Sequence, residues 1–460
     1  MAFTIDYAIV IIYLLVILIV GYFRGRNEHL LDFTVNRRRT STLLLTTSSL
    51  STAFGVGSLL GVAAESYRTG ISFGISTFFA IVLSFAVMIW IGPKIKKFGD
   101  THQAQTIADF FAERYSLSVS TLTSILTIVA FLLSTSVQFI GVASLASVLI
   151  GVSWGVALAV AAVVTIAYTS FGGLRNDITT DFVQFWVILA MFAVMVPLGF
   201  FKVGGLSSFT TFPASSFDPF AYGGSVFFFG SIILGALIGI TQMDTWQRTY
   251  SARSEKTVKR AYLYSLLIAA PMYILPILFG LWAKQLFPGI VPEQGLFTLM
   301  VNILPVGLLG IGFAGILAAS MSSIDSCIVV GSTSFTNDIY AKFIRKRANE
   351  HHLLKRTRLF AVVFSAIALL IAYFIPNIVK LIIFATMLLL NFIPAIFGGF
   401  FWKRANAKAA FWSLILSTIT LLVGWFTIGV NAWLPAFLVS TLVFVIGSFV
   451  AKPKFSVRPH

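Results

Sequence analysis

The chain has 460 residues, of which 58% are apolar and only 10% are charged. Soluble proteins carry roughly 25% charged residues, so this composition and the mean hydropathy of +0.94 exclude a soluble globular domain. The net charge of +16 points to nucleic acid only if the basic residues share a soluble face. Apolar runs recur instead along nearly the whole chain, and the bilayer is the predicted solvent for most of its surface.

The first apolar run, roughly Tyr7 to Tyr22, has basic residues after it and none before it. It is therefore predicted to be a retained transmembrane helix and not a secretory signal. About twelve further spans follow, so the predicted fold is all-α, a polytopic membrane protein of about 13 transmembrane helices. Their approximate starts are Thr42, Ile71, Ser118, Trp154, Asp181, Ser225, Tyr262, Leu304, Leu359, Ile378, Phe411 and Trp433.

The basic residues predict an orientation. Only Arg68, Lys202, Lys284 and Lys380 fall in predicted outer loops, and the inner segments hold the rest, including the run from Arg248 to Arg260. This asymmetry predicts a multi-pass protein of the plasma (inner) membrane, with the N-terminus outside and the C-terminus cytoplasmic. The basic runs at 37–39 and 345–347 are predicted to contact membrane lipids, and no nucleic acid is predicted as a partner.

The second span, Leu43 to Gly61, crowds Ser, Thr and Gly into its centre. Such small residues can simply permit close helix packing. The alternative is an unwound segment between Ser51 and Gly57, whose free carbonyls face a cavity lined by protein, since broken backbone cannot face lipid.

The ninth span offers a complementary surface from Ala318 to Ser326. Positions 319, 322, 323 and 326 share one helical face, and three of them carry hydroxyls. Carbonyl and hydroxyl oxygens suit a hard cation, and a site without a full carboxylate fits a monovalent ion better than calcium. The predicted ion is Na+.

Two carboxylates fall within or beside predicted spans, and an intramembrane carboxylate is a functional hypothesis by default. Asp325 lies in the ninth span, and Asp181 lies at the mouth of the sixth. For Asp181 the alternative is an interfacial carboxylate at a helix start, where negative charge is favourable.

Two long motifs resemble the sodium:solute symporter family. They are GGLRNDITTDFVQ, Gly172 to Gln184, and MSSIDSCIVVGSTSFTNDIY, Met321 to Tyr340, and the WQR of Trp246 to Arg248 adds to them. The resemblance implies a leucine transporter-like core of two inverted five-helix repeats. Within a single transmembrane domain, 1–460, residues 1–41 would form an extra N-terminal helix and basic loop. Residues 42–203 and 225–403 would be the two repeats, and 404–460 two C-terminal helices and a tail.

The resemblance also implies a sodium site, which falls on residues that the helical pattern had already selected. It would be formed by the carbonyls of Ser51, Phe54 and Ala319 and by the hydroxyls of Ser322 and Ser323. A second ion is implied in some members, and here it would use Asp181, Asp325 and Ser326, either for sodium or for a proton.

The solute pocket is expected between the broken helices, with a few polar groups in an apolar wall. The residues predicted to bind the solute are Ser58, Gln138, Thr241, Gln242 and Asn391. Each of these side chains alternatively satisfies a neighbouring backbone group. An aliphatic residue near Ile238 stands where sugar-transporting relatives have an aromatic gate. This difference weakens the case for a sugar, and the predicted solute is an amino acid, a carboxylate, a sugar or a similar metabolite.

The predicted function is sodium-coupled secondary active symport of a small polar organic solute into the cell by alternating access, with no obligate protein partner. The alternatives are a proton-coupled carrier on the same scaffold and an intramembrane enzyme. The enzyme is disfavoured because the five histidines fall in loops or the tail and no HExxH motif occurs. Two GxSxG matches, at Gly70 to Gly74 and Gly151 to Gly155, lie at span ends and not in the required strand-to-helix turn.

Overall fold

A computed structural model describes residues 4–25, 29–169, 172–345 and 348–450, and none of these residues forms a β-strand. The predicted basic run at 345–347 is described only at Arg345, and the predicted tail, 451–460, lies outside the described residues. The predicted all-α class is confirmed.

The described residues of the first half of the chain form nine α-helices. In order they are α1 (Thr4–Gly25), α2 (Leu30–Val35), α3 (Thr42–Ala53), α4 (Val62–Thr69), α5 (Ser72–His102), α6 (Ile107–Arg114), α7 (Leu117–Ile150), α8 (Trp154–Thr169) and α9 (Leu174–Lys202). Ser41, Thr106 and Ser116 cap α3, α6 and α7, because each side chain accepts a hydrogen bond from a backbone N–H of the first turn.

The second half, as far as the structure describes it, forms eleven α-helices. They are α10 (Gly224–Gly235), α11 (Met243–Ser251), α12 (Glu255–Met272), α13 (Leu275–Leu286), α14 (Gly295–Ile303), α15 (Leu308–Thr333), α16 (Glu350–Phe374), α17 (Ile378–Leu390), α18 (Ile393–Phe401), α19 (Ala407–Ile428) and α20 (Trp433–Val450). A π-helical segment, Ser334–Ile344, continues α15. We call α19 and α20 the C-terminal hairpin.

Nine helices of the described ranges are long and apolar enough to cross a membrane, or ten if the bent pair Thr42–Ala53 and Gly57–Thr69 is one span. Shorter helices such as α8 and α10 also lie where spans are predicted. The number of about 13 spans stays a prediction. Large apolar side chains on the outside, such as Phe426 at 86% exposure, suit contact with lipid.

The centre of the molecule is α15, whose most apolar stretch is completely buried. It packs against α9, α7, α1 and α3. The hydroxyl face predicted for the ninth span therefore lies inside the protein and not against lipid.

The N-terminal helix is tied to the start of α15 by a buried carboxylate. Oδ1 of Asp6 accepts hydrogen bonds from the backbone N–H groups of Gly307, at 2.8 Å, and Gly310, at 2.6 Å. Backbone donors at a helix start have no partner within the helix, and an acceptor from outside satisfies them. Asp6 thus links α1 to the helix that carries the predicted sodium ligands.

Replacing Asp6 by alanine should lower the stability of the purified protein by about 1–2 kcal/mol, the usual cost of a lost helix cap. A lower midpoint of thermal unfolding in detergent would show this. Glu255→Ala, at the exposed first turn of α12, is the control and should change the midpoint much less. Equal midpoints for both variants would argue against the link.

Candidate ion and solute site

The second membrane span is interrupted between α3 and α4. Helix α3 ends at Ala53, the chain leaves the helical path at Phe54 and Gly55, and the π-helical turn Gly57–Gly61 leads into α4. The two halves are bent by 51°. The interruption predicted from the Ser, Thr and Gly content is therefore confirmed.

Side chains from other helices satisfy the backbone exposed at this break. Oε1 of Gln138 accepts a hydrogen bond from the N–H of Val56 at 2.8 Å. The carbonyl of Ala53 accepts from the hydroxyls of Ser58, at 2.8 Å, and Tyr273, at 2.5 Å. Ser58 and Gln138 thus do what the alternative prediction proposed for them, because each satisfies a backbone group of the interrupted segment.

Helix α15 lies directly against the break. The hydroxyl of Ser323 donates to the carbonyl of Thr52 at 3.0 Å and contacts the carbonyl of Ala319 at 3.3 Å. A Cβ added at Gly55 would be 2.4 Å from Oγ of Ser323. A glycine at 55 is what allows α15 to approach the interrupted backbone this closely.

Two hydroxyls beside the break have no hydrogen-bond partner within the described part of the chain. They belong to Ser51 and Ser322, and both side chains are fully buried. An unsatisfied buried polar group costs about 1–3 kcal/mol. A bound cation near Ser322 would give that oxygen the partner it lacks, so the donor set fits a sodium ion there.

A buried arginine lies next to this region. Arg248 of α11 is only 1% exposed, and its Nη2 lies 3.2 Å from Oδ2 of Asp177 and 3.2 Å from Oδ2 of Asp181. Its Nη1 lies 3.0 Å from Oδ2 of Asp244. One guanidinium therefore contacts carboxylates of both α9 and α11.

Hydroxyls complete the surroundings of the guanidinium. Nε of Arg248 donates to Ser48 at 2.8 Å, and Nη2 donates to Thr52 and to Ser326, each at 2.5 Å. Ser48 in turn donates to Oδ2 of Asp181 at 2.5 Å. We call this group the Arg248 cluster; it consists of Arg248, Asp177, Asp181, Asp244, Ser48, Thr52 and Ser326.

The Arg248 cluster holds three carboxylates and one guanidinium. Asp177 and Asp181 are buried, and Oδ1 of Asp181 has no hydrogen-bond partner among the described residues. Buried charges are tolerated when they are paired. The cluster thus holds two more carboxylates than guanidinium groups, and the predicted second cation or proton beside Asp181 stays a prediction.

A cavity of about 310 Å³ lies between the break and the Arg248 cluster. This volume is at the lower end for small-molecule sites. Its polar lining residues include Ser58, Gln138, Gln242 and Ser323. Its large apolar lining residues include Phe73, Phe85, Met88, Phe227, Leu234, Leu390 and Trp433.

Residues 33–417 match the model of the Sodium:solute symporter family. The chain belongs to the sodium:solute symporter family. It is 25% identical over 451 residues to the sodium/pantothenate symporter of Haemophilus influenzae, covering 95% of this chain and 92% of the relative. It is 26% identical to the osmoregulated proline transporter OpuE of Bacillus subtilis, covering 96% and 94%. The protein is thus a membrane transporter and not an enzyme.

The fold of the protein is also that of a solved structure, a Na+-coupled sialic acid symporter in a substrate-bound outward-open state. The two agree with a TM-score of 0.86 and 20% identity, over 98% of this chain and 99% of the other. The leucine transporter-like architecture implied by the motifs is confirmed.

The five residues predicted to bind the solute are only partly brought together in the structure. Ser58, Gln138 and Gln242 line the cavity. Thr241 and Asn391 are buried without lining it, and the Thr241 hydroxyl donates to the carbonyl of Ile238 at 2.9 Å. The solute-binding roles of these five residues stay predictions.

Of the three residues predicted to bind a second ion, two share a contact in the structure. Asp181 and Ser326 both contact Arg248, while Asp325 is buried one position before Ser326 and stays a prediction. The alternative that placed Asp181 at a helix start is wrong, since α9 begins at Leu174 and Asp181 lies in its third turn. The polar residues in the first turns of α9 lower the hydropathy there, and the sixth span is therefore predicted to begin seven residues later than α9 does.

Sequence reasoning missed Asp177 and Arg248. The charge pattern predicts Arg248 in an inner loop with the basic run that ends at Arg260, yet Arg248 is buried. A signal existed for Asp177, because it precedes Asp181 by four residues and therefore shares its helical face. The sequence held no comparable signal for the contact of α11 with α9.

Proposed function

We propose that this protein is a sodium-coupled symporter that imports a small organic solute by alternating access. The observation that carries the proposal is the interrupted span held against α15, where the buried hydroxyl of Ser322 has no hydrogen-bond partner among the residues that the structure describes. Sodium would be bound by the carbonyls of Ser51, Phe54 and Ala319 and the hydroxyls of Ser322 and Ser323. These are oxygen ligands without charge, which suit a monovalent hard cation.

The solute would occupy the cavity beside the break. Relatives named for pantothenate and for proline support a small organic molecule. Asp244 and Arg248 are the charged residues among those lining the cavity, and they pair with each other. A solute without a large net charge fits this lining, because an unpaired buried charge is costly.

Sodium would couple to the solute through the break itself. Ser323 contacts both the interrupted backbone and the cavity, so an ion bound there would fix α3 against α15 and complete the solute pocket. The repeats 42–203 and 225–403 would then move relative to each other to open inward. The excess of Lys and Arg in the predicted inner loops favours an orientation in the plasma membrane with the N-terminus outside.

The driving force is sufficient for accumulation. One positive charge that moves inward through 100 mV releases about 2.3 kcal/mol. By the rule of 1.4 kcal/mol for each factor of ten, this supports roughly 50-fold accumulation of the solute before any sodium gradient is added.

Sodium dependence is the direct test. Purified protein is screened by thermal unfolding against a metabolite library, in sodium chloride and in choline chloride, because a ligand that binds the folded state raises its apparent stability. We expect hits that appear only with sodium, and uptake of the same solutes into proteoliposomes only with an inward sodium gradient. Uptake that is equal in choline would contradict sodium coupling.

A proton-coupled carrier is the second candidate. It is favoured by Oδ1 of Asp181, which has no hydrogen-bond partner in the described ranges and belongs to a cluster of three carboxylates and one guanidinium. In the same proteoliposomes, uptake in choline that follows an imposed pH gradient would support this candidate. Uptake that ignores the pH gradient and follows sodium would exclude it.

A further inference from the structure

One wall of the solute cavity comes from outside the proposed pair of repeats. Trp433 begins α20 of the C-terminal hairpin, beyond the end of the second repeat at residue 403. Its side chain nevertheless lines the cavity together with residues of α5, α10 and α17. The C-terminal hairpin therefore contributes directly to the space that the solute would occupy.

The indole of Trp433 occupies the place of a missing side chain in α10. A Cβ added at Gly230 would be 1.8 Å from Cζ2 and 2.2 Å from Cη2 of the indole. The ring also packs on a cluster that contains Leu234 of α10 and Leu390 of α17, and both leucines line the cavity. Trp433 thus closes the wall between α10 and α17.

Packing alone holds the indole in this wall. Its Nε1 is buried and has no hydrogen-bond partner among the described residues. A tryptophan buries about 150–250 Å² of surface, so its removal would leave a large space next to the cavity. A smaller side chain could not fill the gap at Gly230, where α10 itself offers no side chain.

Two groups of lining residues differ in character. Ser323 and Gln138 lie against Gly55 at the break, while Leu234, Leu390 and Trp433 pack together as an apolar wall. We propose that Trp433 sets the upper size limit of the solute, and that the solute is amphipathic, with an apolar part against this wall. The inference rests on the proposed function for the identity of the cavity as a solute site.

The only cysteine of the chain gives a probe of this wall. Cys327 lines the same cavity, so a maleimide must enter the cavity to alkylate it. The experiment measures alkylation rates of the purified protein with N-methyl-, N-ethyl-, N-cyclohexyl- and N-phenylmaleimide. Cys327→Ser defines the background, and each rate is divided by the rate with N-methylmaleimide to correct for thiol reactivity.

We expect the relative rate to fall as the substituent grows in the parent protein. Trp433→Ala should raise the relative rate of the cyclohexyl and phenyl reagents by about tenfold or more, since even one methylene in a tight apolar pocket changes selectivity 10- to 200-fold. Trp412→Ala is the matched control, because Trp412 lies in the same hairpin and is 54% exposed. The same size profile in Trp433→Ala as in the parent would overturn the proposal.

Two further comparisons distinguish the size limit set by Trp433 from a folding defect and from a failure of the proposed function. Trp433→Phe keeps an aromatic ring and should shift the size profile in the same direction by a smaller factor, so it decides the matter if Trp433→Ala is not recovered as a monodisperse protein. Alkylation needs neither sodium nor a solute gradient. A shifted size profile without sodium-coupled uptake would support the role of Trp433 and contradict the proposed function. Sodium-coupled uptake with an unshifted size profile would support the proposed function and contradict the role of Trp433.

The amphipathic solute has its own readout. In the thermal screen, solutes that stabilise the parent should share a polar group and an apolar portion, and Trp433→Ala should accept larger homologues of them. Hits restricted to compounds that are polar throughout would contradict an apolar contact with Trp433.

Discussion

Replacing Ser323 by alanine is expected to raise the sodium concentration for half-maximal uptake by about 10- to 100-fold. The hydroxyl of Ser323 reaches the carbonyls of Thr52 and Ala319, so it lies where the interrupted span and α15 meet. A hydrogen bond or ligand contact to a charged group contributes about 1.5–3 kcal/mol, and each 1.4 kcal/mol changes affinity tenfold.

The measurement is initial uptake of a solute from the screen, at saturating solute and increasing sodium. The maximal rate should change less than the sodium requirement, because the hydroxyl would contribute to ion binding more than to the movement of the repeats. Solute protection of Cys327 against N-methylmaleimide, measured over the same sodium range, gives a second reading without transport.

A control for Ser323→Ala lies one turn away on the same helix. Ser320 is also fully buried, but its hydroxyl donates to the carbonyl of Ile316 at 2.8 Å, within α15 itself. Ser320→Ala should leave the sodium requirement unchanged. If Ser323→Ala behaves like Ser320→Ala, then Ser323 is not a sodium ligand.

The interrupted span could be predicted from the sequence because its cause is local. Ser, Thr and Gly in the middle of an apolar segment weaken the case for an ordinary helix facing lipid, and residues 319, 322, 323 and 326 fall on one face by helical periodicity alone. The close approach at Gly55 then follows from the meeting of these two segments. Local composition and helical periodicity are therefore sufficient to predict both the interrupted span and the face of α15 that lies against it.

The Arg248 cluster could not be predicted in this way. Counting basic residues assigns each arginine to an aqueous face, and this rule fails where carboxylates from another helix meet a guanidinium inside the protein. Asp177 and Arg248 are 71 residues apart in the chain. The opposite error occurs at Thr241 and Asn391. They are predicted to bind the solute, but both are buried and neither lines the cavity.

Replacing Arg248 by glutamine should have the largest effect of the substitutions considered. Three carboxylates would lose their guanidinium, and breaking a buried ion pair by removing one partner costs about 3–5 kcal/mol. We expect a large fall in the midpoint of thermal unfolding, or loss of monodisperse protein, together with loss of uptake. Arg253→Gln is the matched control, because Arg253 is exposed and donates to the carbonyl of Arg39.

Charge rescue distinguishes an electrostatic role from simple packing. Adding Asp177→Asn to Arg248→Gln removes one of the unpaired carboxylates and should restore part of the lost thermal stability, although Asp177→Asn alone should lower it. Arg248→Lys keeps the charge but has three donors where the guanidinium has five, and it should be intermediate. If the double variant is no more stable than Arg248→Gln, the guanidinium acts mainly by filling space between α3, α9 and α15.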